Sequence, residues 1–281
     1  MNDLLRAHAP ISEEAWREID AEAARTLKTL LAARRLVDFV GPLGWKAAAV
    51  PTGRTEKLSP VLQEGAVSRL RTSLSLMELR VPFEVSRDEL DAIGRGARDV
   101  DLDPVRNAAR AAGIAEDRAI FRGYAAAGIG GIFEVASGQS LSIPTNYEAY
   151  PDVVAEATHR LRSEGVSGPY GIALGPRCYT GLTRSTLRGY PVINHVRKLV
   201  DGPIVWAPAA DGAVVMSLRG GDFELTVGQD FSVGYLDHTG TSVLLYVQET
   251  FTFRVLTEQA AVPLTYPAQE LPEKDRSGQL R

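Results

Sequence analysis

Trp16, Ile19, Ala23, Leu27, Leu30 and Arg34 follow one another at spacings of three and four. That is the period of one face of an amphipathic helix. Ser12 precedes the stripe as an N-cap, and Glu13 and Glu14 suit the first turn. The pattern predicts a helix from Ser12 to about Arg35. Val37–Val40 leaves it and meets the breaker Gly41-Pro42-Leu43-Gly44. Trp45–Arg80 reads as extended, with turn signals at Pro51-Thr52-Gly53 and Ser59-Pro60. Its apolar residues are too sparse to build a core, so it is either an arm on another subunit or a long hairpin within one domain.

Ser86 starts a short helix that ends near Gly94. Asp103-Pro104 opens a longer one, rich in alanine and interrupted by Gly113. Glu116-Asp117-Arg118 within it reads as a structural charge cluster. Gly128–Gly138 is a glycine-rich loop into a second lobe. There, Asp152–Glu164 is a helix with Val153, Val154, Ala157 and Leu161 inward, and Tyr170–Leu174 is a buried strand. A turn at Gly189-Tyr190-Pro191 precedes a helix over Val192–Leu199, and Ile204–Trp206 is a strand. Gly220-Gly221-Asp222 separates two strand-like runs, Ala213–Leu218 and Phe223–Val227. On its own it predicts a β-hairpin. The strand-like runs end with Val243–Leu256. Helices and strands alternate without regular βαβ spacing, which predicts a mixed α+β fold.

The 281 residues are 44% hydrophobic, and no apolar run approaches the ~20 needed to cross a bilayer. MNDLLRAHAPISEEAW lacks the basic-then-apolar order of a secretory signal, which points to a cytoplasmic protein. A net charge of −4 argues against a dedicated nucleic-acid binder. Cys178 is the only cysteine, and the four histidines are scattered, so no metal site is expected. Cys178, His195 and Asp201 are the only thiol-based set that could serve a hydrolase, and no GxSxG serine occurs. Gly128-Ile129-Gly130-Gly131 fails the dinucleotide spacing. The sequence argues against an enzyme.

RGGDFELTVGQDFSVGY (Arg219–Tyr235), followed by VQETFTF at Val247–Phe253, resembles the carboxy-terminal signature of the encapsulins. These are bacterial shell proteins with the fold of tailed-phage major capsid proteins. Further blocks occur in the family's order: LAARRLVDFVGPLGW, EDRAIFRG, EGVSGPY, GYP and VDGPIVWAPA. The resemblance covers residues 1–266. It implies a peripheral domain (1–46, 81–130 and 212–266), an extended loop (47–80) and an axial domain (131–211). Residues 267–281 are left as a disordered tail. It also implies a homo-oligomeric icosahedral shell of about 60 subunits. The shell would enclose a dye-decolourising peroxidase or a ferritin-like protein, and would serve oxidative-stress defence or iron storage. The rival reading is a prophage capsid that packages nucleic acid.

The resemblance places a cargo-peptide groove on the luminal side of the first helix. Its residues would be Leu27, Leu31, Arg34 and Asp38, with Asp230, Phe231 and Val233. The residues alone leave another reading open, an ion pair between Arg34 and Asp38 worth about 0.3–0.5 kcal/mol. Thr183, Arg184, Ser185, Thr186, Leu187, Arg188, Gly189 and Tyr190 read as an exposed loop lining a five-fold pore. Some relatives bind flavin against a tryptophan where this chain has Arg87, so no cofactor is expected.

Overall fold

The computed structural model describes residues 4–267; the expected disordered tail lies outside them from residue 268 onward. The chain forms α1 (Glu13–Leu30), β1 (Asp38–Val40), β2 (Ala49–Lys57), β3 (Arg69–Ser75), β4 (Met77–Ser86), α2 (Arg87–Gly94) and α3 (Asp103–Arg122). The second lobe follows, with α4 (Ile132–Val135), β5 (Leu141–Ser142), α5 (Tyr150–Ser163), β6 (Tyr170–Leu174), α6 (Pro176–Arg184), β7 (Thr186–Leu187), β8 (Tyr190–Pro191), α7 (Val192–Val196) and β9 (Ile204–Trp206). The chain then runs through β10 (Ala213–Ser217), β11 (Phe223–Val227), β12 (Ser232–His238), β13 (Ser242–Val255) and β14 (Ala261–Thr265).

Two five-stranded sheets carry the fold. The first runs β1-β11-β13-β12, with β4 paired along the other side of the long β13. Helices α1, α2 and α3 cover it, burying Trp16, Ile19, Leu27, Leu90 and Val105 against Phe83, Val85, Leu245 and Val247. The second runs β5-β14-β10-β6-β9 and is packed by α5, α6 and α7. The expected α+β class is what the structure has. No helix among the described residues is long and apolar enough to cross a membrane.

Ser12 caps α1 as expected, its hydroxyl accepting the Ala15 N–H at 3.2 Å. The helix stops at Leu30, five residues before the predicted end, and a 3₁₀ turn over Ala33–Arg35 follows. The cause is Asp117, whose carboxylate accepts the N–H groups of Ala32 and Ala33, both at 3.0 Å. Those amides therefore leave the helix ladder. Ser86 precedes α2, but its side chain makes no capping bond. Gly113 is explained by packing: a Cβ there would lie 3.2 Å from Leu27 Cδ2 and 3.5 Å from Leu31 Cδ2. The missing side chain lets α3 approach α1.

The hairpin expected across Gly220-Gly221-Asp222 does not form. β10 is already paired on both edges, with β6 and β14, so β11 crosses to the other sheet and inserts between β1 and β13. The segment 212–266 thus contributes strands to both sheets. The sequence pattern does not predict β14, because Pro263 argues against an interior strand. Its neighbour β5 pairs only at Leu264 and Thr265, so no bond is asked of Pro263 on that side. By contrast, β2 and β3 pair only with each other among the described residues. Leu62 is 90% and Val67 67% exposed on the connection between them.

Candidate functional site

A groove of ≈ 510 Å³ lies between α1 and the start of β12. The helix supplies Ala23, Ala24, Leu27 and Lys28, and the chain beyond it adds Leu31 and Arg34. The opposite wall is Asp230, Phe231, Ser232 and Val233, with Val247 of β13 beside them. Of the residues predicted for a docking groove, Leu27, Leu31, Arg34, Asp230, Phe231 and Val233 are brought together here. The periodicity explains the helix side: Ala23 and Leu27 are one turn apart, and Ala24, Lys28 and Leu31 border them.

The end of the groove is held by Arg34, whose side chain is 15% exposed. Its Nε donates to Glu116 Oε1 at 3.0 Å and Oε2 at 2.9 Å, and Nη2 reaches Glu116 Oε2 at 2.6 Å. Nη2 also bonds Glu249, and Nη1 donates to Asp230 Oδ1 at 2.9 Å. The guanidinium carbon lies 5.1 Å from the Phe39 ring centroid and 5.0 Å from that of Phe231. Burial opposes the charge on Arg34, but Glu116, Glu249 and Asp230 together outweigh it and hold the group protonated. Arg34 thus ties the segment after α1 to α3, to β13 and to the loop before β12.

Glu116 and Glu249 are fully buried. Burial pushes the Glu249 carboxyl well above the usual range, and the adjacent Glu116 reinforces this. Asp117 is pushed up to about 7, chiefly by burial and further by Glu116; the Ala33 and Ala32 amides and Arg34 pull the other way. The sequence pattern presents Glu116 and Asp117 only as a structural cluster and does not single out Glu249. A signal was present. Glu116 is four residues beyond Ala112 on the buried face of α3. Glu249 shares its strand parity with the buried row Leu245, Val247, Phe251 and Phe253. A charge at an apolar position calls for a buried partner.

Residues 1–252 match the family described as encapsulating protein for peroxidase. The chain is 53% identical over 270 residues to the type 1 encapsulin shell protein of Rhodospirillum rubrum, covering 94% of this chain and 96% of that protein. This chain belongs to the encapsulin shell-protein family. It is also 49% identical to the type 1 encapsulin shell protein of Mycolicibacterium paratuberculosis, over 94% of this chain and 100% of the relative. The encapsulin fold reaches further in solved structures. A virus-like particle from Pyrococcus furiosus aligns at TM-score 0.63 and 15% identity, over 89% of this chain and 98% of that one. The capsid of an empty GTA particle aligns at TM-score 0.55 and 16% identity, over 85% and 90%. These likenesses show the capsid-type fold.

Two expectations for this encapsulin need correction. Asp38 does not line the groove and does not pair with Arg34. Its carboxylate accepts the Gly221 N–H at 2.6 Å, on a separate small pocket with Ser217 and Phe223. With α1 ended at Leu30, positions 34 and 38 no longer share a helical face. The segment Thr183–Tyr190 is also not an irregular loop. Thr183 and Arg184 end α6, Ser185 follows, and Thr186–Leu187 pairs with Tyr190–Pro191 around a turn at Arg188 (φ 52°) and Gly189 (φ 82°). The consecutive positive φ angles suit the tight twist of a short hairpin. Tyr190 is 66% exposed at its edge. The Cys178 thiol is buried against the Tyr266 hydroxyl at 3.1 Å, and burial raises its pKa. His195 Nε2 instead lies 3.1 Å from the Leu187 carbonyl oxygen.

Proposed function

We propose that this chain assembles into a closed icosahedral shell, an encapsulin compartment in the cytoplasm. The shell encloses a peroxidase or ferritin-like enzyme held by a short peptide in the α1–β12 groove. The observation that carries the reading is the β2–β3 hairpin. It pairs with no other strand among the described residues and leaves Leu58, Val61, Leu62, Val67 and Leu70 exposed. A run of exposed apolar side chains on a projecting element marks an interaction surface, and a neighbouring copy of the same chain supplies its cover. The groove supports the second half of the reading through its apolar walls, Leu27, Leu31, Phe231 and Val233, which suit aliphatic anchors. The reading includes no flavin, because Arg87 stands where some relatives carry a tryptophan.

Size-exclusion chromatography and negative-stain imaging of the purified chain, with absorbance at 260 and 280 nm, test the reading. Uniform megadalton particles without nucleic acid are expected. A monodisperse monomer overturns it, and particles filled with nucleic acid turn it toward a capsid. The β7–β8 hairpin is assigned to the five-fold pore, where Arg184 and Arg188 of each copy form a positive ring. Arg184→Ala with Arg188→Ala is expected to lower entry of small anions relative to cations. Unchanged relative rates would remove the hairpin from the pore or its charge from the filter.

A further inference from the structure

The last strand of the chain is fastened to one helix of the second lobe. β14 ends one residue before Tyr266, which is half-buried. The Tyr266 hydroxyl lies 3.1 Å from Cys178 Sγ and 3.1 Å from the Tyr147 hydroxyl. The Arg177 guanidinium carbon stands 4.0 Å from the centre of the Tyr266 ring, a cation–π distance. Tyr147 completes the clamp. Its hydroxyl donates to the Arg177 carbonyl at 3.4 Å, and its ring is stacked on Tyr150 with 6.0 Å between centres. Gly181 makes room for that ring, since a Cβ there would lie 2.4 Å from it. Each of the three groups has one hydrogen to give, and the chain closes when the thiol donates to Tyr266, Tyr266 to Tyr147, and Tyr147 to the carbonyl. Tyr147 and Tyr266 thus grip α6 at positions 177, 178 and 181, from two distant parts of the sequence.

The other end of α6 leads straight into the β7–β8 hairpin, with only Ser185 between them. The Ser185 N–H donates to the Gly181 carbonyl, and the Ser185 carbonyl accepts the Val192 N–H, both at 2.9 Å. The second support is α7, where His195 Nε2 lies 3.1 Å from the Leu187 carbonyl oxygen. β7 and β8 pair with no other strand among the described residues. Two short helices therefore set the position of the hairpin, and Tyr266 holds one of them. We infer that Tyr266 is a latch: seated on α6 it fixes the hairpin, and when it leaves, the start of α6, the hairpin and the Cys178 thiol are freed together. Elements held by few contacts open locally at low cost, and here those contacts converge on one side chain.

The only cysteine of the chain gives the test a direct readout. Cys178 is buried. Burial raises its pKa, and the hydrogen bond with Tyr266 lowers it. Losing that hydroxyl without opening would leave less thiolate and slow the labelling of the thiol, whereas unlatching speeds it. Tyr266→Phe keeps the ring beside Arg177 and removes both hydroxyl contacts. In the full chain as purified, it is expected to raise the rate of labelling by iodoacetamide about tenfold, from two lost hydrogen bonds partly replaced by water. Backbone hydrogen exchange should accelerate over residues 176–191 and stay unchanged in β10 and β13. Slower or unchanged labelling overturns the latch. So does exchange that rises equally in both sheets, which marks general loosening, and so does faster labelling with no change in the hairpin, since the thiol then opens alone. In assembled shells the same variant should speed the entry of small anions. Faster exchange in the hairpin with unchanged entry supports the latch and counts against the pore assignment made above.

Discussion

Arg34 is 15% exposed and is held by three carboxylates of its own chain. Leu62, on the connection between β2 and β3, is 90% exposed and belongs to neither core. The two regions use opposite ways of fixing a segment. The first brings α3, β13 and the β12 loop onto one guanidinium, so the site is complete in a single protomer. The second extends two strands that hydrogen-bond only to each other among the described residues. An isolated two-stranded hairpin is marginally stable in water, so this one needs a surface that the protomer does not contain. On the reading proposed above, the first element builds the groove and the second meets a neighbouring copy.

The largest effect should come from removing the incomplete region. Thr52 and Thr72 face each other across the hairpin, their hydroxyls hydrogen-bonded, so the chain can be rejoined near that point. Deleting Gly53–Leu70 is expected to abolish particles while leaving a folded protomer. That protomer should melt cooperatively, because neither core uses the deleted residues. Size-exclusion chromatography and circular dichroism check both halves. Intact particles from the deleted chain would mean that the hairpin is not the essential contact.

Breaking the complete region should act on the protomer instead. Arg34→Ala leaves Glu116 and Glu249 buried without their cation, a loss of about 3–5 kcal/mol. In a chain of this size that lowers the melting temperature by on the order of 10 °C. Arg34 is therefore a positioning residue, and its removal should weaken shell and loading together. Phe231→Ala should separate them. It truncates the groove wall and removes one ring from Arg34, and a buried aromatic anchor is worth about 2 kcal/mol at an interface. That corresponds to a roughly 30-fold loss of cargo affinity, measured as cargo per assembled shell, with shells still forming. If Arg34→Ala melts like the wild type and loses only cargo, the guanidinium is a ligand contact and not a keystone.

The contrast also explains what the sequence could disclose. The inward face of α1 is legible because its apolar period is local, and the groove wall at Phe231 and Val233 is legible through family resemblance. The end of α1 is not, since it depends on Asp117, more than eighty residues away in sequence. The crossing from β10 to β11 reads as a hairpin because the glycine turn looks the same in both cases. What forbids the hairpin is the occupation of both β10 edges by β6 and β14, which no local pattern records. Glu116 and Glu249 leave a trace, acids at apolar positions, but their shared partner can only be found in three dimensions.

The smallest effect concerns Asp38, the residue for which the family-based expectation and the geometry disagree most. It starts β1, which runs parallel to β11 in the register Asp38 to Glu224. Its carboxylate accepts the Gly221 amide at 2.6 Å. Gly220 and Gly221 have φ of 84° and 79°, so the acceptor steadies the turn that carries the chain from one sheet to the other. Asp38→Ala removes that acceptor near solvent, where water replaces part of it. The loss should be about 1 kcal/mol, or roughly 2–4 °C in melting temperature. Asp38→Asn should restore most of it, because the side-chain carbonyl can accept the same N–H. Cargo loading per shell should remain at the wild-type level in both variants, since Asp38 lies outside the groove. A loss of loading comparable to that of Phe231→Ala, at unchanged melting temperature, would return Asp38 to the dock and require the groove to open further in the assembled shell than it does in the protomer.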